Sequence, residues 1–258
     1  MQGLFLAADV GLHSDARRVQ AVFVDEAGHL RQMPWTAAVA EGRFEEAPPV
    51  AAFPVMPGRR WGPGWWWSAT MGRHVAHGSA AMRAQLMLLD RDRQVVGLSA
   101  RPVRVVWRDE RSRVRSWIPQ VFARYADGTG LLADCPAAEG AGGVRARRAQ
   151  AVLDAVCGRV GWRYRRLGPP DAVVVANVRW LAGYRHPRYR GSDGLEEAVL
   201  DAFAQPRPLI EGVVAVGDPL QVLPVVYHAL WAGRLEAALE VPLHERVVVR
   251  RGMAEEWR

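Results

Sequence analysis

The stretch Ser79-Ala80-Ala81-Met82-Arg83-Ala84-Gln85-Leu86-Met87-Leu88-Leu89-Asp90-Arg91-Asp92 opens the part of the chain from which the fold can be read. Ala81, Met82, Leu86 and Leu89 recur at helical spacing, and Ser79 stands where an N-cap hydroxyl is wanted. Short β-rich runs follow: Gln94 to Leu98, Pro102 to Trp107, Val114 to Tyr125, and Gly130 to Asp134 beyond an Asp127-Gly128 turn. A second helix is expected over Val144 to Val160 and a strand over Trp162 to Leu167. The order is helix, three or four strands, helix, strand, which places the chain in the α/β class.

On the N-terminal side, Leu4 to Phe53 reads as a few strands or loops, with Val19 to Val24 alternating before a Gly28 turn. Pro57-Gly58-Arg59-Arg60-Trp61-Gly62-Pro63-Gly64-Trp65-Trp66-Trp67 sets four tryptophans beside two arginines. Such a run can stack on nucleic-acid bases or plug a core against a loop. On the C-terminal side, helices are expected over Leu195 to Ala204 and Val222 to Trp231, with a short one over Leu235 to Leu239. A β-rich tail, Val241 to Arg250, follows. Several short helices and a strand pair suit a small winged-helix-like module. The expected division is residues 1–56 as a strand-rich segment, 57–182 as the core and 183–258 as an interaction domain.

The chain has 258 residues, half of them apolar, enough for a real core. It contains no lysine: all 34 basic side chains are arginine, and the net charge is +7. That excludes a Walker-type phosphate loop, a Schiff base and any nuclease that relies on a lysine ammonium. Codon usage in a GC-rich genome accounts for the bias without any function. Between Arg101 and Arg190 there are 18 arginines against seven acids, whereas the remainder is slightly acidic. A basic middle of this kind is the footprint of a phosphate-contacting surface, or equally of scattered solvated arginines. Cys135 and Cys157 have no partners at metal-ligand spacing, Met1 to Asp9 lacks the basic start of a signal peptide, and no apolar run is long enough to span a membrane. A cytoplasmic protein without membrane contact is the expectation.

Several segments resemble the TnsA-like endonuclease subunits of heteromeric transposases, in their actinobacterial form, a branch of the PD-(D/E)XK restriction-endonuclease-like superfamily. The likeness runs from about Pro49 to Arg250. It is carried by Gly64-Trp65-Trp66-Trp67-Ser68-Ala69-Thr70 with Gly72-Arg73-His74-Val75, by Leu86 to Asp90, by Asn177-Val178-Arg179-Trp180-Leu181-Ala182-Gly183-Tyr184-Arg185-His186-Pro187, and by Gly217 to Leu220 with Val222-Leu223-Pro224. The resemblance implies a restriction-endonuclease-like core with a central mixed sheet flanked by two helices, and a C-terminal winged-helix-like domain that contacts partner proteins. It implies a subunit that cuts one strand at transposon ends, beside a separate transposase and an ATPase regulator.

The same resemblance implies where magnesium ligands would stand, since hard cations held by carboxylates activate water and stabilise charge on the scissile phosphate. The matching positions are eroded. The helix motif, close to Glu-Ser-x-x-Glu-Arg-Asp, reads Gly78-Ser79-Ala80-Ala81-Met82-Arg83-Ala84. The strand motif, close to His-x-Pro-Asp-Phe, reads Trp117-Ile118-Pro119-Gln120-Val121, and the Val-Asp-Val-Lys pattern reads Ala133-Asp134-Cys135-Pro136. Asp134 alone survives, so no catalytic set, no metal ligands and no cofactor are expected. An active enzyme would have to recruit Asp90, Asp92, Asp127 or Glu139 and would then need magnesium. A silent core can still grip double-stranded DNA through Arg145, Arg147, Arg148, Arg163, Arg165, Arg166, Arg179, Arg185 and Arg188, because phosphate contacts need cations and no metal. The expected partners are DNA together with a transposase, an ATPase regulator or an active TnsA-like paralogue. A regulatory interaction module without DNA contact is the remaining alternative.

Overall fold

The computed structural model describes residues 19–53, 62–138 and 142–252. Their contacts separate two compact units: the first comprises the described residues up to 67 with 74–86 and 94–169, the second 68–73, 87–93 and those from 170 onward. Met1 to Asp9, Pro57 to Trp61 and Glu139 lie outside the described residues. The chain is mixed α/β, as its pattern requires.

The first unit holds two four-stranded sheets. One consists of β1 (Gln20–Val24), β2 (Leu30–Pro34), β6 (Val103–Arg108) and β7 (Val114–Trp117), ordered β2-β1-β6-β7 and antiparallel throughout. The other consists of β5 (Val95–Ala100), β8 (Val121–Tyr125), β9 (Gly130–Asp134) and β10 (Arg163–Arg166), ordered β10-β9-β8-β5. Here β5, β8 and β9 are antiparallel to their neighbours, whereas β10 runs parallel to β9. Parallel neighbours need a crossover, and α3 (Gly143–Gly158) supplies it, packing on β10. Helix α2 (Ala80–Arg91) begins where expected, because Ser79 Oγ accepts from Met82 N at 3.1 Å. The turn between β8 and β9 is built by Asp127, whose Oδ1 accepts from both the N–H and the hydroxyl of Thr129 (2.8 and 2.6 Å), with Gly128 at φ +81°.

Two expectations change here. The run Val114 to Tyr125 is two strands in two different sheets, broken at Ile118-Pro119-Gln120, where Pro119 can donate to no ladder. The N-terminal residues do not precede the core but belong to it. β1 pairs with β6, and a seven-residue helix α1 (Trp35–Glu41), unforeseen in the sequence, carries Trp35 into the interior. Trp35 and Phe44 are fully buried and join Phe23, Phe122, Trp162 and Leu153 in one apolar cluster. Trp35 also donates through Nε1 to the carbonyl of Val156 at 3.0 Å, satisfying one of the last-turn carbonyls that α3 leaves without an intrahelical partner. Gly130 lets the Trp162 indole lie against the backbone, since a Cβ there would meet the ring at 2.5 Å.

The second unit contains α4 (Ala172–Ala182), a 3-10 turn Pro187–Tyr189, α5 (Asp193–Ala202), β11 (Arg207–Pro208), α6 (Leu209–Val216), α7 (Pro219–Trp231), β12 (Leu235–Ala237) and β13 (Val248–Arg251). The strands form an antiparallel sheet ordered β11-β13-β12. α4 belongs to this unit, although the sequence places residues up to 182 in the core. Its valine run favours a strand locally, but Asp171 accepts from Val173 N and Val174 N and starts a helix. Residues 235–237, expected as helix, are a strand because their backbone is claimed by β13. Glu196, buried on α5, is held between Arg190 (2.6 Å) and Arg234.

The hairpin of β3 (Gly64–Ser68) and β4 (Arg73–His77) runs through both units, as α2 does. Trp66 is buried while Trp65 is exposed, so the tryptophan run plugs the interior with one ring and leaves another in solvent. His77 is also buried; its Nδ1 has no partner, and burial, with Arg83 nearby, holds the imidazole below its usual range. The unfolded chain therefore takes up a proton that the folded one resists once the pH falls below about 6.5. Tm is expected to drop between about pH 7 and about pH 5, and to drop less in His77→Asn, as calorimetry across that range would show.

Candidate functional site

β9 ends on Asp134, and the parallel register sets Arg166 of β10 opposite it. Just ahead of β8, the Gln120 N–H donates to Ala133 O (2.8 Å) and Asp134 Oδ1 (3.2 Å), while its Oε1 accepts from Cys135 N at 2.7 Å. The structure therefore brings together Gln120, one of the eroded positions, and Asp134, the one that survives.

Asp134 Oδ2 accepts from Trp117 Nε1 and from the Tyr164 hydroxyl, both at 2.6 Å. Its residue exposure is 8%. Burial pushes the carboxyl above its ordinary range in spite of these donors, and burial with Asp134 alongside pushes the Tyr164 phenol up as well, so the phenol remains a donor. Both carboxylate oxygens are thus committed to protein donors. A magnesium ligand must instead turn a carboxylate toward the cation and its waters. The neighbouring Cys135 is buried, its thiol pushed up to about 12 by burial, and is no nucleophile at neutral pH.

The other candidate positions have structural employment. Met82 is fully buried on α2, and its sulfur accepts from Gly78 N at 3.4 Å. Gly78 is pressed against Phe53, whose ring a Cβ would meet at 2.2 Å, so a glutamate cannot occupy that position without displacing the ring. Pro136 lies half-buried in the segment after β9. Asp90 is fully engaged in closing the β3–β4 turn: it accepts from Ser68 Oγ (2.5 Å), Ala69 N (3.0 Å) and Thr70 N (3.0 Å). Asp127 builds its own turn and Asp92 is exposed at the end of α2. Among the described residues, no group of three His, Cys, Asp or Glu side chains converges as a metal site would.

The arginines divide between the units. In the first, Arg145, Arg147 and Arg148 are exposed on the first two turns of α3, which has no acidic residue in its opening turn and a glycine, Gly142, as N-cap. Arg163 and Arg165 point outward from β10 on either side of buried Tyr164, as strand alternation requires. The Arg166 guanidinium reaches Gly142 at the start of α3, and Arg145 lies over the Trp117 ring at 5.8 Å. Arg166 and Arg145 thus lie near the strand ends at which Gln120 and Asp134 meet, whereas Arg163 lies at the other end of the sheet, over the Tyr125 ring at 5.0 Å. Arg179, Arg185 and Arg188 belong to the second unit. Arg185 is half-buried and donates to the carbonyl of Ala182 at the end of α4, so its role is that of a helix cap. Arg179 and Arg188 are exposed.

The partners Trp117 and Tyr164 were not among the residues singled out in the sequence. The alternation of Arg163 and Arg165 around Tyr164 was the signal that a polar ring faces inward there. Asn177, in one of the quoted segments, is a buried clamp: Nδ2 donates to Leu239 O and Val241 O (2.8 and 2.7 Å), and Oδ1 accepts from Leu243 N (3.0 Å). No helix among the described residues is long and apolar enough to cross a membrane. Compared with known families and characterised proteins, the chain matches no family model and no curated relative.

Proposed function

We propose that this chain is a DNA-binding or assembly subunit of a transposition-type complex, a pseudo-nuclease relative of the TnsA-like endonucleases. The observation that carries the proposal is the condition of Asp134, whose two oxygens are taken by Trp117, Tyr164 and Gln120 while arginines remain around it. A magnesium-dependent cut needs open carboxylate oxygens, whereas a grip on phosphates needs only the cations. The reading is supported by a mixed sheet with antiparallel β5, β8 and β9, parallel β10 and the crossover α3, which is the arrangement a restriction-endonuclease-like core calls for. The strand order β11-β13-β12 behind α5, α6 and α7 suits a winged helix. α6 and α7 carry no arginine, and Val214 and Leu220 are exposed on them. That favours protein docking over groove reading for this module, with a transposase, an ATPase regulator or an active paralogue as the partner.

The test is a gel shift with duplex DNA across a salt series, run beside a plasmid-nicking assay with magnesium. Duplex binding should weaken steeply with salt, and replacing Arg145, Arg147 and Arg148 by alanine should lower the salt slope by about one for each phosphate no longer neutralised, uniformly across sequences. No shift at low salt would leave the interaction module as the reading. Magnesium-dependent nicking that disappears in Asp134→Ala would replace the proposal with an active endonuclease.

A further inference from the structure

The second unit carries an aromatic feature that duplex binding does not use. Trp180, in the last turn of α4, is 55% exposed, a large apolar surface to leave in water. It stands edge-on to Tyr227 (centroids 5.9 Å, 90°) and beside Tyr184 (6.2 Å). Tyr184 continues the cluster to Tyr189 at 5.3 Å and to Tyr227 at 4.9 Å. Together with Ala176, Arg179 and Gly183, the rings of Trp180, Tyr184 and Tyr189 line an open depression of about 500 Å³.

The shelf is held in place from behind. His228 Nδ1 is 2.8 Å from the carbonyl oxygen of Tyr184, Trp180 packs edge-on against Tyr227, and Asn177, three residues before Trp180, is locked by its three backbone partners. Rings fixed in this way lose little freedom when a ligand stacks on them. Two cations frame them. Arg179 lines the depression, and Arg188 lies over the Tyr189 ring at 4.8 Å while donating to its hydroxyl at 3.1 Å. No carboxylate lines the depression among the described residues, so its charge favours a polyanion.

We propose that Trp180, Tyr184 and Tyr189, with Arg179 and Arg188, form a stacking site for unpaired bases of single-stranded DNA. The proposal rests on the reading of the chain as a DNA-binding protein and adds a second, chemically different site to it. Exposed rings take up base faces and the arginines take up the intervening phosphates. A duplex cannot use the shelf, because its base faces are already covered by their neighbours. An uncharged proline-rich segment also docks on aromatic grooves, but it has no use for the two cations.

The test is fluorescence anisotropy with the full chain and three labelled probes: a short oligothymidylate, a duplex of equal length and a proline-rich peptide. Trp180→Ala should weaken oligothymidylate binding by about 5–150-fold, the range for losing one base stack. Trp180→Phe should restore most of it, and Arg179→Ala should lower the salt slope by about one. Duplex binding should be the same in the wild-type, Trp180→Ala and Trp180→Phe proteins, which also reports that the Trp180 variants are folded. Oligothymidylate binding that is indifferent to Trp180 while duplex binding persists would overturn this inference alone. Loss of duplex binding with Trp180-dependent oligothymidylate binding intact would overturn the assignment of the α3 and β10 arginines and leave the stacking site standing. Peptide binding that depends on Trp180 and is not displaced by the oligonucleotide would overturn it in favour of a polyproline site.

Discussion

Asp134→Ala is expected to destabilise the first unit by about 2–4 kcal/mol, because it strands the buried Tyr164 hydroxyl, at about 1–3 kcal/mol, and takes the acceptor from the half-buried Trp117 indole, at about 1 kcal/mol. Both bonds are short, at 2.6 Å, and Tyr164 is almost wholly buried, so its hydroxyl cannot turn to water without moving a strand or the ring, whereas Trp117 is half-buried. Thermal unfolding followed by near-ultraviolet circular dichroism should show Tm lower by roughly 5–15 °C. Asp134→Asn should cost much less. The amide oxygen still accepts from both donors, the Gln120 N–H keeps Ala133 O as its acceptor where the amide NH2 replaces Oδ1, and burial already disfavours the charge that is removed. The ordering of the two variants separates a structural carboxyl from a catalytic one. An open magnesium ligand is held against its own electrostatic interest, so removing it leaves stability unchanged or raised while activity vanishes. A stable Asp134→Ala protein would therefore argue for the active endonuclease.

Trp35→Ala is expected to be at least as severe, about 3–5 kcal/mol, the cost of removing a fully buried indole from a packed core. The ring is stacked with Phe44 (6.4 Å, 15°), edge-on to Trp162 (5.8 Å, 88°), and hydrogen-bonded to the end of α3. Because β1 shares a sheet with β6, removing residues 1–56 should unfold the first unit rather than trim it back to an independent core. Trp35→Phe should recover the packing but not the bond to Val156. Denaturant unfolding of the two variants divides the cost between the two terms, and a truncated protein that keeps a native-like cooperative transition would show the first unit to be independent of its N-terminal strands.

Elements specified by local signals were legible in advance. The Ser79 cap, the Asp127-Gly128 turn and the helical period over residues 144–160 each rest on side chains within a few positions of the backbone they organise. Elements decided by distant partners were not. Val114 to Tyr125 reads as one strand until Pro119 separates it between two sheets. Residues 235–237 read as helix until β13 takes their hydrogen bonds, and α1 is too short for its period to show.

The candidate site divides along the same line. That glutamate is absent at Gly78 and Met82, aspartate at Gln120 and lysine everywhere is a property of composition and order, and no packing could restore those groups. Whether the surviving carboxylate could still hold a cation was a question of geometry. Trp117 lies 17 residues before Asp134 and Tyr164 lies 30 after it, and only the meeting of β7, from one sheet, with β9 and β10 of the other brings their donors to one oxygen. The basic middle of the chain was likewise countable in the sequence, but counting cannot tell a cap from a contact. Folding turned Arg185 back to a helix end, aimed Arg163 and Arg165 outward, and gathered Trp180, Tyr184, Tyr189 and Tyr227 onto one surface. Charge and chemistry are carried by residues one at a time, whereas exposure and convergence belong to pairs of elements far apart in the chain.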